Sequence, residues 1–211
     1  MMRDFQPAPT GGDRLPLHLV EEISHRVANE YAEAIAGLSL AAAGSVGCEA
    51  RQALRHAAER LHAHAQNHRA LLPPMAGQVN LADYVGKLCA AFSLASLADR
   101  RVSLTLETDE IWLASDRAWR LGLAISELIR NAARHGLRGR AGAITVQIAR
   151  SCGDVVCLVG DDGRNQMDVS AGRGVGLVRT LAGELSGSIE WWRADSGCLA
   201  CLRVPLEPRR G

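Results

Sequence analysis

Between Leu17 and Ala43 the apolar side chains Val20, Ile23, Val27, Tyr31, Ala34, Ile35 and Leu38 recur at spacings of three and four, which predicts a long amphipathic helix. At about 100° per residue, with Val20 at zero, Val27, Tyr31 and Leu38 fall within about 20° and Ile23, Ala34 and Ile35 within about 60°. His25 lies about 140° away, on the polar side. A break at Gly44-Ser45-Val46-Gly47 precedes a second helical pattern, Leu54, Ala57, Ala58, Leu61, Ala65 and Leu72, which stops at Pro73-Pro74. Two long helices joined by a short turn make an antiparallel hairpin. Its narrow apolar stripes cannot be buried within one copy, so the expectation is a homodimer built as a four-helix bundle.

Beyond the prolines the period changes. Leu81 to Leu97 reads as a helix, Val102 to Glu107 and Ile111 to Leu113 as strands, and Ser115 as the N-cap of a helix running to about His135, closed by Gly136. Strands follow at Ala143 to Arg150 and Val155 to Val159. A Gly/Asp/Asn loop, a helix from about Val175 to Leu185 and strands Ser188 to Arg193 and Leu199 to Val204 complete the chain. The strands do not alternate regularly with helices. The expected fold is therefore α plus an α/β sandwich: a helical hairpin, then an α+β domain whose mixed sheet carries helices on one face. The corresponding division is a flexible leader over 1–14, the hairpin over 15–74 and the sandwich over 79–207, with the boundary near Pro73 to Asn80.

Composition narrows the partners. With 47% hydrophobic residues and 22% charged in 211, the chain has the makings of a globular core. Its 24 basic and 23 acidic side chains give none of the electrostatic footprint of a nucleic-acid binder, so no nucleic-acid partner is expected. Only Lys87 is lysine; the remaining basic residues are arginines spread along the chain, a skew that reads as coding bias. Apolar stretches such as Ala34 to Val46 are too short and Ala-rich for a membrane span, and the start lacks the apolar core of a signal peptide. No membrane partner and a cytoplasmic location are expected. The six cysteines then read as reduced, and Cys198 and Cys201, three apart on a strand, face opposite sides and suit no shared metal.

Three clusters in the second half carry candidate chemistry. On the helix, Glu127, Asn131 and Arg134 share a face by i, i+4 and i+3 spacing. A carboxylate, an amide oxygen and a guanidinium suit Mg²⁺ and a polyphosphate; a solvated polar face would carry the same residues. Val159-Gly160-Asp161-Asp162-Gly163 ends a strand and is either turn chemistry or a carboxylate placed to accept a purine amino group. Gly172-Arg173-Gly174-Val175-Gly176 opens a helix, where small residues and free N–H groups favour an anion.

In this order the clusters resemble the N, G1 and G2 boxes of the GHKL ATPase fold, and His25-Arg26-Val27-Ala28-Asn29-Glu30 resembles the H-box of sensor histidine kinases of the HWE-related type. The resemblance runs from about Leu17 to Leu206. It implies ATP and Mg²⁺ as cofactors and His25 as the phosphorylated residue. It further implies that Asp161 contacts adenine, that Asn131 holds the metal with Glu127 beside it as a catalytic carboxylate, and that Gly172, Gly174 and Gly176 shape the lid hinge and triphosphate site. Arg134, His135 and Gly163 fall at cofactor-binding positions. The implied activity is a histidine kinase without a sensor domain of its own, serving a response-regulator receiver domain. The alternative is a dimeric histidine phosphotransferase with a degenerate ATP domain. Asn165 stands where the family carries a second G1 glycine, the lid between Gly163 and Gly172 is short, and it holds no phenylalanine.

Glu21 and Glu22 lie near His25 and are candidates to orient its ring. His64 and His68 have metal-ligand spacing, but His68 falls on the apolar stripe and reads as a core histidine of the dimer. Trp191 and Trp192, adjacent on a strand, must point to opposite faces.

Overall fold

The computed structural model describes residues 17–163, 173–194 and 197–207, with side chains from Glu22 onward. Helices α1 (Leu17–Gly44) and α2 (Cys48–Ala70) form the hairpin, closed by the turn at Ser45 to Gly47. Tyr31 and His68 meet between them with ring centroids 6.2 Å apart, which places His68 on the packed side of α2. Ile23, Leu40 and Val46 remain 50%, 78% and 98% exposed, so the hairpin keeps apolar surface that its own two helices do not cover.

The sandwich begins with β1 (Gln78–Asn80) and α3 (Leu81–Phe92). Asn80 caps α3, its Oδ1 accepting the Ala82 N–H at 2.9 Å. Leu81, Val85, Leu88 and Phe92 enter the core from one face of α3. The helix then widens into a π turn over Ser93–Leu97, tightens into a 3₁₀ turn over Ala98–Arg100, and ends at Arg101 in the left-handed region with φ of 52°. Leu81–Arg100 is apolar enough to cross a membrane by length and composition. Its apolar side instead fills the core of the sandwich.

Strands β2 (Val102–Thr108) and β3 (Trp112–Ala114) lead into α4 (Ser115–Asn131), prolonged by a π turn over Ala132–Gly136. Then come β4 (Gly142–Ser151), β5 (Asp154–Asp161), α5 (Arg173–Glu184), β6 (Ser188–Ala194) and β7 (Gly197–Pro205). The five-stranded sheet has the order β2-β4-β5-β7-β6, with β2 and β4 parallel and every other pair antiparallel. It is the mixed sheet expected. Ile144, Val146 and Ile148 of β4 and Val155, Cys157 and Val159 of β5 are buried on the face that carries the core.

One local expectation is corrected. Ser115 is the first residue of α4 rather than its N-cap: Ala114 precedes the helix with no side-chain cap. The start is fixed by the small β1–β3 ladder, where Ala114 pairs with Gln78 and the Ser115 N–H reaches the Gly77 carbonyl at 3.2 Å. The helix does end at Gly136, as expected, and the positive-φ positions that follow are Arg138 and Gly139.

The hairpin and the sandwich touch where α2 packs on α3. The Trp119 indole N–H donates to the Leu71 carbonyl at 2.9 Å, and Arg60 and Asp99 approach to 3.9 Å. At the far edge Trp191 turns toward the core, its ring under the Arg179 guanidinium at 5.4 Å, while Trp192 faces outward and is 47% exposed. Cys198 is buried and Cys201 lies on the opposite face of β7.

Candidate functional site

The site is assembled from the end of α4, the end of β5 and the start of α5. Glu127 and Asn131, one turn apart on α4, are each only 9% exposed although polar. A solvated polar face is thus excluded for these two. A buried carboxylate and a buried amide need partners. Glu127 has one in Arg130, whose Nη1 lies on its Oε2. The Asn131 Nδ2, by contrast, is buried with no hydrogen-bond partner among the described residues.

Arg134, the cation expected on that face, is exposed, as is His135. The π turn explains this: α4 loses its 3.6-residue period at Ala132, so a residue three beyond Asn131 no longer stacks above it. The structure therefore brings Glu127 and Asn131 together with Arg130, not with Arg134.

Asp161, at the end of β5, stands beside the end of the π turn. Its Oδ1 accepts the Gly163 N–H at 2.9 Å, and a second backbone hydrogen bond comes from Cys198. Burial raises its pKa above the usual 3.8, with the two backbone donors opposing that shift. A Cβ at Gly136 would overlap this carboxylate, and a Cβ at Gly163 would overlap the Gly136 carbonyl. Both glycines are required by close approach. Neighbouring Asp162 serves the strand instead, its Oδ1 taking the Ala143 N–H at 2.8 Å.

Gly174, the second residue of α5, presents its α-carbon to Glu127 Oε1 so closely that any side chain there would displace the carboxylate. Gly176 has open space around it. Gly172, Asn165 and the lid, like the 1–14 leader, lie outside the described residues.

The residues present suit a Mg²⁺-nucleotide. The donor set is an orphaned amide at Asn131, a half-buried carboxylate at Asp161 beside Gly163, and Gly174 against Glu127, and a helix start such as that of α5 favours an anion. Gly136 is the residue whose role the sequence reading missed. Its signal was an Asp-x-Gly following a helix that ends in glycine, two small residues that must face one carboxylate.

His25 lies on α1, exposed, and its ring has no hydrogen-bond partner among the described residues. Glu22 does not orient it: the Glu22 carboxylate pairs with Arg26 at 2.7 Å. The side chain of Glu21 lies outside the described residues.

Comparison with known proteins agrees with this layout. The family described as a histidine kinase-like ATPase domain matches residues 90–197, and a histidine kinase family matches residues 22–96. The chain is 33% identical over 201 residues to sensor histidine kinase PdtaS of Mycobacterium tuberculosis (strain ATCC 25618 / H37Rv), covering 91% of this chain and 40% of that protein. It is 31% identical over 199 residues to PdtaS of Mycolicibacterium smegmatis, covering 90% and 40%. It thus spans less than half the length of these curated relatives. Among solved structures, the histidine kinase domain of the Erythrobacter litoralis EL346 blue-light activated histidine kinase superposes with a TM-score of 0.59 at 18% identity, covering 84% of this chain and 96% of that one. A structure described as a bacterial phosphotransferase gives 0.64 at 14% identity, covering 92% and 98%. At these identities the two structures speak to the fold alone.

Proposed function

Because the chain belongs to the histidine kinase family, we propose that it phosphorylates His25 from ATP and passes the phosphoryl group to an aspartate of a response-regulator receiver domain. The observation that carries this reading is the buried pair Glu127 and Asn131, with the side-chain-free Gly174 against Glu127, in one chain with an exposed histidine.

In this reading residues 15–74 are the dimerisation and phosphotransfer domain and 79–207 the ATP-binding domain. The uncovered Ile23, Leu40 and Val46 become covered in a homodimeric four-helix bundle. Asp161 accepts the adenine amino group. Arg134 and His135, exposed at the end of α4, and Gly172 and Gly176 belong to the rim and lid of the nucleotide site. Asn131 Oδ1 would hold Mg²⁺, which supplies charge neutralisation of the triphosphate when bound. The nucleotide and the receiver are met in the cytoplasm.

The reaction requires a neutral imidazole. A ring nitrogen lone pair attacks the γ-phosphorus in line; the N–P bond forms, the bond to the β–γ bridging oxygen breaks, and ADP leaves with that electron pair. The proton on the other ring nitrogen is then released, with Glu127 as the acceptor. In the second step an aspartate oxygen of the receiver attacks the phosphorus, the N–P bond breaks with its electron pair staying on the ring nitrogen, a proton is taken up from solvent, and neutral His25 is restored. Protein groups contribute position and charge, as a loose phosphoryl-transfer transition state demands.

Calorimetric titration with ATP and Mg²⁺ tests the nucleotide half of the proposal. Saturable binding that is lost in Asp161→Ala is expected. No binding, together with labelling of His25 by a phosphorylated receiver, would replace the kinase by the phosphotransferase.

A further inference from the structure

We propose that Arg130 is the positioning residue for Glu127, holding its carboxylate both at the phosphoryl-transfer corner and against the start of α5. The proposal deepens the reading of that corner as a nucleotide site and rests on it.

The two oxygens of Glu127 have different neighbours. Oε2 carries the Arg130 guanidinium, and Oε1 lies against the α-carbon of Gly174. The Glu127 side chain is 11% exposed and that of Arg130 47%, so the carboxylate is enclosed while its cation sits at the rim. A glutamate has three side-chain torsions. Left unpaired in an enclosed corner, its carboxylate would turn toward water or toward another donor. Arg130, at i+3 on the same helix, removes that freedom: the spacing puts both side chains on one face, and the charge of the guanidinium holds Oε2. The absence of a side chain at Gly174 completes the clamp from the other side.

The clamp explains why the cation of this face is Arg130. The π turn at Ala132 rotates Arg134 out of phase, so Arg130 is the last arginine still in register with Glu127. It also joins α4 to the first turn of α5. Loss of Arg130 would then loosen α5 and misaim Glu127 without removing a phosphate ligand.

Two measurements test this on Arg130→Met, which keeps the aliphatic stem, and on Arg130→Lys, which keeps the charge. Amide exchange without nucleotide is expected to quicken about tenfold at Gly174 to Val178 in Arg130→Met and to return close to the wild-type rate in Arg130→Lys. Autophosphorylation in Arg130→Met is expected to lose about tenfold to a hundredfold in kcat with the KM for ATP held within about twofold. In a Glu127→Gln background, adding Arg130→Met should change neither readout further. Wild-type exchange in Arg130→Met, or a raised KM at unchanged kcat, overturns the proposal; the second result makes Arg130 a nucleotide ligand. Failure of the wild type to take label from ATP would sink the kinase reading alone, because the exchange comparison needs no nucleotide and still decides the role of Arg130.

Discussion

The carboxylate of Asp161 rests against the α-carbon of Gly136, so that the end of α4 and the end of β5 meet with no room for a side chain between them. A methyl group at position 136 must push the carboxylate away or part the two elements. Gly136→Ala is therefore expected to destabilise the fold by about 1–3 kcal/mol, the usual cost of overpacking. Chemical denaturation measures this. The same variant should lose at least about tenfold in ATP affinity by calorimetry, because the proposed adenine acceptor is displaced.

In the proposed role of Asp161, nucleotide affinity depends on pH. Burial holds its pKa above 3.8, so the stability this group contributes is full below 3.8 and is lost as pH rises through the raised value. Recognition of an amino group runs the opposite way, since the ionised form accepts. Asp161→Asn is expected to bind ATP about tenfold more weakly at neutral pH, the worth of one charge-assisted hydrogen bond. The gap between the two proteins should close on acidification, starting above pH 3.8. A pH series of titrations reads it, and a constant gap contradicts the assignment.

Two glycines of α5 should respond in opposite directions. Gly176 sits in a helix with open space around it, so Gly176→Ala is expected to stabilise by about 0.5–1 kcal/mol. Gly174→Ala drives a methyl group into Glu127 and is expected to cost about 1–3 kcal/mol. Thermal melts of the two variants side by side decide the matter.

Trp119→Phe keeps most of the ring and removes the indole N–H that ties α4 to the Leu71 carbonyl at the end of the hairpin. A loss of about 1 kcal/mol is expected, more if the carbonyl is left without water. The change should appear in equilibrium unfolding.

Much of this was legible in the chain. The apolar spacing of α1 and α2 places the hairpin within a few residues; Glu127 and Asn131 stand out because i, i+4 spacing puts them on one helix face, and Asp161 because a strand ends there in an Asp/Gly loop. What spacing could not deliver is the phase of α4 beyond Asn131. Periodicity assumes an unbroken α-helix, so Arg134 appeared beside Glu127 where the π turn leaves Arg130 alone in that place. Nor could it deliver β1, three residues long and recognisable only through its pairing with β3. The duty of Gly136 depends on Asp161, twenty-five positions along, and becomes visible only when β5 is laid beside α4.

The central claim is that His25 receives the γ-phosphoryl group of ATP. Incubation with γ-labelled ATP and Mg²⁺, followed by acid and alkali treatment, tests it most directly. An acid-labile, alkali-stable label on the wild-type chain that disappears in His25→Ala and in Asn131→Ala is expected. Label that persists in His25→Ala, or a wild-type chain that binds ATP and stays unlabelled, would contradict it.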